Sequence, residues 1–144
     1  HHLLEVAAPA EQHDVAHRIG ERFGSVVLGV ASDATCGRYD ALGDPLEWRV
    51  RKREVLSRLV TMEPRAIDIR CADEIHECGS AIATVQRLGP EYLETHGLGA
   101  GREVVAWYDD ISNALGRRLD WPSHPMREEL NALSGRLAAL VGRA

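Results

Sequence analysis

Between Pro64 and Gly89-Pro90 the residues Cys71, Ile75, Cys78, Ile82 and Val85 recur at alternating steps of four and three. Only a helix gathers such a set onto one face, because a strand would send Ile75 and Cys78 to opposite sides. Pro64 suits a first helical turn, where no N–H donor is needed, and Gly89-Pro90 supplies the stop. The stripe assigns Cys71 and Cys78 to a buried apolar face and leaves Asp73, His76, Glu77 and Ser80 on a polar side. A long central helix must bury its stripe against other elements.

The remaining segments supply helices rather than strands. Asp14 is a suitable N-cap for a helix over Val15–Phe23 that Gly24 terminates. Ser25 then caps the apolar run Val26–Ala31, whose continuity predicts a buried helix, with a strand as the alternative. Ser32–Pro45, which contains Gly37 and Gly43, reads as a loop. From Leu46 the helical period returns through Trp48, Lys52, Val55, Leu56 and Leu59, with Arg49, Arg51, Arg53 and Arg58 at the other positions. His96–Gly101 is a glycine-rich connection without the Lys-Ser/Thr of a phosphate loop. A helix from Arg102 to Leu119 and a last one opened by Ser123 and Pro125 follow, the latter with Met126, Leu130, Leu133, Leu137 and Leu140 spaced for a partner helix. The expected fold class is all-α, in one domain over residues 1–144.

Several function classes are disfavoured by composition. With no run of eighteen apolar residues and no signal-peptide pattern, the expectation is a cytoplasmic chain that does not enter a membrane. A net charge of −5 gives no overall field for nucleic acid. The three cysteines lack Cys-x-x-Cys spacing, so among seven histidines an imidazole and carboxylate metal site is more plausible than a thiolate one. The opening His1-His2 is compatible with a fragment, a processed product or the remainder of an affinity tag.

Trp48-Arg49-Val50-Arg51-Lys52, followed by Leu56 and Leu59, resembles the Trp-Arg-x-Arg-Lys helix of small bacterial HD-superfamily proteins related to the RelA/SpoT-type alarmone hydrolase domain. Ala72-Asp73-Glu74-Ile75-His76-Glu77 is similar to the Ala-Asp-Lys-Leu-His-Asn segment of that family, and Trp107-Tyr108 to the Trp-Tyr of its later helix. Phe23-Gly24, Val26-Val27 and Ser32-Asp33 fall in the same order. The resemblance implies an HD-like helical bundle, here lacking the family's N-terminal helices, and a metal-dependent phosphohydrolase acting on a nucleotide or another phosphate ester.

In that family an upstream histidine, a His-Asp pair and a distant aspartate hold a divalent metal such as manganese, and a Glu-Asp pair serves the hydrolytic water. His1-His2-Leu3-Leu4-Glu5-Val6 falls where the family has His-Asp-x-x-Glu-Asp. The resemblance therefore implies His1 and Asp73 as ligands, Glu5 as base, and His2 as a substitute ligand in place of aspartate. Val6 replaces the acidic partner of Glu5, the upstream histidine has no counterpart, and the site is incomplete. Successive helical residues project about 100° apart, which predicts that His1 and His2 diverge. Arg49, Arg51, Lys52 and Arg53 form a basic cluster suited to phosphate, with His76 one turn from Asp73. The solvated-face reading of these residues remains beside the functional one.

His13-Asp14 is a second His-Asp dipeptide, with His17 one turn from Asp14. Its polar surroundings and its nearness to Phe23-Gly24 favour Asp14 as a helix cap. The alternatives to an enzyme are a degenerate relative that binds without turnover, and a helical interaction module in which the final leucine stripe drives homo-oligomerisation.

Overall fold

A computed structural model describes residues 1–40, 42–95, 99–121 and 124–142. It contains α1 (His2–Val6), α2 (Gln12–Phe23), α3 (Ser25–Ala34), α4 (Trp48–Leu59), α5 (Pro64–Leu88), α6 (Glu91–Thr95), α7 (Gly101–Gly116) and α8 (Pro125–Val141). Among the described residues there is no strand, only an isolated bridge between Tyr39 and Pro45. The all-α expectation holds. Two compact units, His1–Ile67 and Asp68–Ala144, divide the chain within α5.

In the first unit α2 and α3 form a hairpin around Gly24, whose φ of 88° is closed to most side chains. The Gly24 N–H donates to the Gly20 carbonyl at 2.9 Å, and the Gly24 carbonyl accepts from Leu28 N–H at 3.1 Å. One residue thus ends α2 and starts α3. Leu4, Ile19 and Ala31 make the small core here, with Val15, Ala16 and Leu28 packed against it.

Three expectations fail in this hairpin, the first being Ser25 as a cap, since it is the first residue of α3 and Gly24 holds the cap position. Asp14 does not cap α2, because the helix begins earlier and places Asp14 inside its exposed first turn. Nor is the apolar run of α3 buried as a whole. Val26 and Val27 are 63% and 48% exposed, because only one face of a ten-residue helix can reach α2.

The loop expected over Ser32–Pro45 begins later, since α3 continues to Ala34. Arg58, on α4, closes this helix end. Its guanidinium donates to the carbonyls of Ser32 (3.2 Å), Asp33 (2.8 Å) and Thr35. A helix leaves its last carbonyls without intrahelical partners, and a cation there also opposes the local negative dipole. Asp33 in turn accepts the Glu63 N–H at 2.6 Å, just ahead of Pro64. Further along, Asp40 accepts from the N–H groups of Leu42 and Asp44, both at 2.9 Å, while the Arg38 carbonyl accepts from Leu46 at 2.8 Å. These bonds set the backbone that carries Arg38.

α5, most of which lies in the second unit, ends as expected at Gly89, with φ of 88°. α7 and α8 pack antiparallel. Gly101 opens α7 beside Val141 of α8, where an added Cβ would come within 2.8 Å, and Gly116 closes α7 against Arg127. Leu130 and Leu137 are fully buried, so the partner of the leucine stripe is found within the chain. This weakens that stripe as a self-association surface. Pro125 opens α8 as expected, but its cap is His124, whose Nδ1 accepts the Met126 N–H at 3.3 Å. Ser123, the expected cap, and Gly97 of the glycine-rich connection lie outside the described residues.

Arg58→Ala should lower stability by about 2 kcal/mol, since it strips a charged donor from several helix-end carbonyls. Arg53→Ala, on an exposed part of the same helix, should cost much less. Urea unfolding followed by circular dichroism measures both, and equal losses would contradict the capping role.

Candidate functional site

Three of the residues singled out from the sequence meet in the first unit. Glu5 is 5% exposed although it is charged. His1 Nε2 lies 4.0 Å from its Oε1, and His2 Nδ1 lies 3.4 Å from its Oε2. The ligand atoms of His1, His2 and Glu5 all fall within 4.8 Å of one another. The expected divergence of the two histidines is therefore wrong. His1 is the N-cap of α1 rather than a helical residue, so the helical step does not govern its direction, and the two rings sit 4.2 Å apart.

A fourth group comes from the loop after α3. Arg38 Nη2 stands 3.7 Å from Glu5 Oε2, on a side chain 42% exposed. Its Nε is buried with no hydrogen-bond partner among the described residues. Nothing in the local sequence announced Arg38. A cavity of about 340 Å³ is lined by Leu4, Gln12, Ala16, Ser32, Thr35, Gly37 and Arg58. His1, His2, Glu5 and Arg38 are not among these lining residues. Thr35 Oγ lies 3.5 Å from the His1 carbonyl but only 2.6 Å from that of Ala31, so the second takes its single proton.

Asp73 belongs to the second unit, and it is not on a polar face. It is 8% exposed, and its neighbour Glu74 is fully buried. Arg70, itself buried, serves both: its Nη2 lies 3.0 Å from Asp73 Oδ2 and 3.2 Å from Glu74 Oε1. The Trp107 indole N–H donates to Glu74 Oε2 at 2.7 Å. A buried carboxylate needs such donors, because desolvation costs several kcal/mol per ion. The Ala72–Glu77 and Trp107-Tyr108 segments thus touch through Glu74, a residue the sequence reading passed over as a replacement for lysine.

This acidic surrounding shows in nearby groups. Burial, reinforced by the charge on Glu74, pushes the Cys71 and Cys78 thiols up to about 12. Burial, followed by the Glu74 charge, also raises the Tyr108 phenol. Both cysteines are inaccessible, as the stripe predicted. His76 is exposed. On α4, Arg49 is exposed and its carbonyl accepts from Arg53 Nε at 3.4 Å, whereas Arg51 and Lys52 are half-buried. His17 pairs with Glu21 at 3.4 Å on the surface of α2, away from any ligand role with Asp14.

Glu74→Ala should cost about 3–5 kcal/mol by leaving Arg70 and the Trp107 N–H without their shared acceptor. Glu74→Gln, which keeps an acceptor, should cost less; equal losses in urea titrations would contradict the donor arrangement. The thiols give a pH prediction. The folded chain retains thiol protons that an unfolded chain sheds above the ordinary value of 9.0, so stability should fall as pH rises from 9 towards 12. Cys71→Ala/Cys78→Ala protein should lose less stability between neutral pH and about pH 10 than the parent. Parallel losses in the two proteins would reject that linkage.

Compared with models of known protein families and with curated proteins, the sequence matches none.

Proposed function

We propose that the first unit holds a divalent cation through His1, His2 and Glu5, and that the protein is an HD-like, metal-dependent phosphohydrolase with a reduced site. The observation that carries this reading is the convergence of two imidazoles and one buried carboxylate within 4.8 Å. Bonds of about 2.0–2.2 Å place neighbouring ligand atoms roughly 3.0–3.6 Å apart, so modest contraction brings this set onto one ion. Imidazole with carboxylate suits manganese, iron or zinc. The motif order of the sequence and the contact of Trp107 with Glu74 support the HD part of the reading.

In this arrangement Glu5 serves as a third ligand more readily than as a free base, because both its oxygens already face nitrogen groups. A bound cation would polarise a phosphoryl oxygen and activate water. The chain's own residues then fix orientation: His1 is almost enclosed, and Arg38 holds the far side of Glu5. Val6 is aliphatic and 50% exposed, so it cannot take a proton as the family's acid does. Hydrolysis of a nucleotide or simple phosphate ester is accordingly slow. Asp73 is paired with Arg70, and Arg49, Arg51 and Lys52 are assigned to substrate phosphate by the fit of such cationic donors to it, with His76 one turn from Asp73.

A second reading, a binding or self-associating module without turnover, is favoured by one observation. Phe23, Val26 and Val27 are 56%, 63% and 48% exposed around the α2–α3 turn. Such a patch is a plausible contact surface.

Protein carrying no added histidines should bind Mn²⁺ weakly, and Glu5→Gln should reduce the affinity at least about tenfold by removing the anionic ligand. Equilibrium dialysis with metal analysis measures this, alongside phosphate release with Asp73→Ala as the control for contaminating hydrolase. Unchanged Mn²⁺ binding in Glu5→Gln would reject the site, and fast turnover abolished by Asp73→Ala would reject its reduced character.

A further inference from the structure

We propose that Arg38 is the oxyanion-recognition residue of the His1–His2–Glu5 site, released to its ligand when a cation takes over Glu5. This inference rests on the metal reading above and adds the group that would hold the substrate's phosphate. Three observations lead to it. Arg38 is a cation brought to Glu5 from a distant part of the chain, with Nη2 at 3.7 Å from Oε2. That distance is an ion pair without a hydrogen bond, so the guanidinium is held by charge and not locked by geometry. Its Nε, buried and without a hydrogen-bond partner among the described residues, is a donor awaiting an acceptor.

The chemistry of the two cations explains the exchange. Glu5 is nearly enclosed, and an enclosed carboxylate must keep a positive neighbour. Arg38 is one such neighbour. A divalent ion on Glu5 would supply more charge at shorter range, and it would repel the guanidinium from the carboxylate. The planar fork of N–H donors so released matches a tetrahedral oxyanion, which also neutralises the excess positive charge. Arg58, also in the first unit, is not available for this role, because its guanidinium is bonded to the carbonyls of Ser32, Asp33 and Thr35. The ligand class is a phosphate monoester or inorganic phosphate.

A merely structural Arg38 would weaken every property together, whereas this role makes two affinities move in opposite directions. Calorimetric titrations with Mn²⁺, and then with inorganic phosphate on the Mn²⁺-loaded protein, provide the test. Arg38→Gln should tighten Mn²⁺ binding about three- to tenfold by removing the competing cation from Glu5. The same variant should weaken phosphate binding about tenfold or more through loss of the paired donors. Arg38→Lys keeps the charge but not the fork, so it should leave Mn²⁺ affinity near the parent value and still lose phosphate. Parent protein that binds Mn²⁺, with phosphate affinity unchanged in Arg38→Gln, would overturn the Arg38 role alone. Weaker Mn²⁺ binding in Arg38→Gln would also overturn it, by showing that Arg38 supports the site rather than competing for it. Absence of Mn²⁺ binding to the parent would overturn the metal reading and this inference together, and circular dichroism of each variant separates these results from misfolding.

Discussion

A carboxylate withdrawn from water has to be surrounded by donors, and each unit of this protein is organised around one that is. Glu5, in the first unit, faces His1, His2 and Arg38. Glu74, in the second, faces Arg70 and the indole N–H of Trp107. The two solutions differ in what they leave open. Glu74 has its donors at hydrogen-bonding distance and ties α5 to α7 through the Trp107 indole. Glu5 is met by looser contacts of 3.4–4.0 Å from groups that can themselves bind a metal. That difference separates a structural carboxylate from a candidate functional one.

The setting of Glu5 depends on contacts well away from it. Arg58 ties the C-terminal end of α3 to α4, and the bonds made by Asp40 and by the Arg38 carbonyl shape the loop that follows. Arg38 reaches the cluster from a backbone fixed on both sides. Gly24 turns α2 into α3 and lets Ile19 and Ala31 pack with Leu4, which anchors the short α1 by its single buried leucine. A five-residue helix has little stability of its own, so these tertiary contacts hold His2 and Glu5 in place.

Much of the helical order was legible in the sequence, because hydrophobic period, Pro64, Gly89 and Pro125 are local signals. The failures came where the deciding partner is remote. Asp73 read as a polar-face residue and Glu74 only as a replacement for lysine, since the donors that permit Glu74's burial include Trp107, which lies 33 residues away. Arg58 read as one more surface cation, although its acceptors lie 23 to 26 residues earlier. The His1-His2 pair was judged by helical geometry that does not apply to a cap residue. Of the candidate site, residue types were legible and convergence was not: Arg38, which completes it, carries no motif.

The central claim is that His1, His2 and Glu5 are ligands of one cation. The most direct measurement is a crystal structure of the protein grown with Mn²⁺ or Zn²⁺, with anomalous scattering used to locate the ion. The account predicts one ordered peak with His1 Nε2, His2 Nδ1 and a Glu5 oxygen at about 2.0–2.2 Å. A peak held by other residues, or none at this cluster in protein saturated with metal, would contradict it.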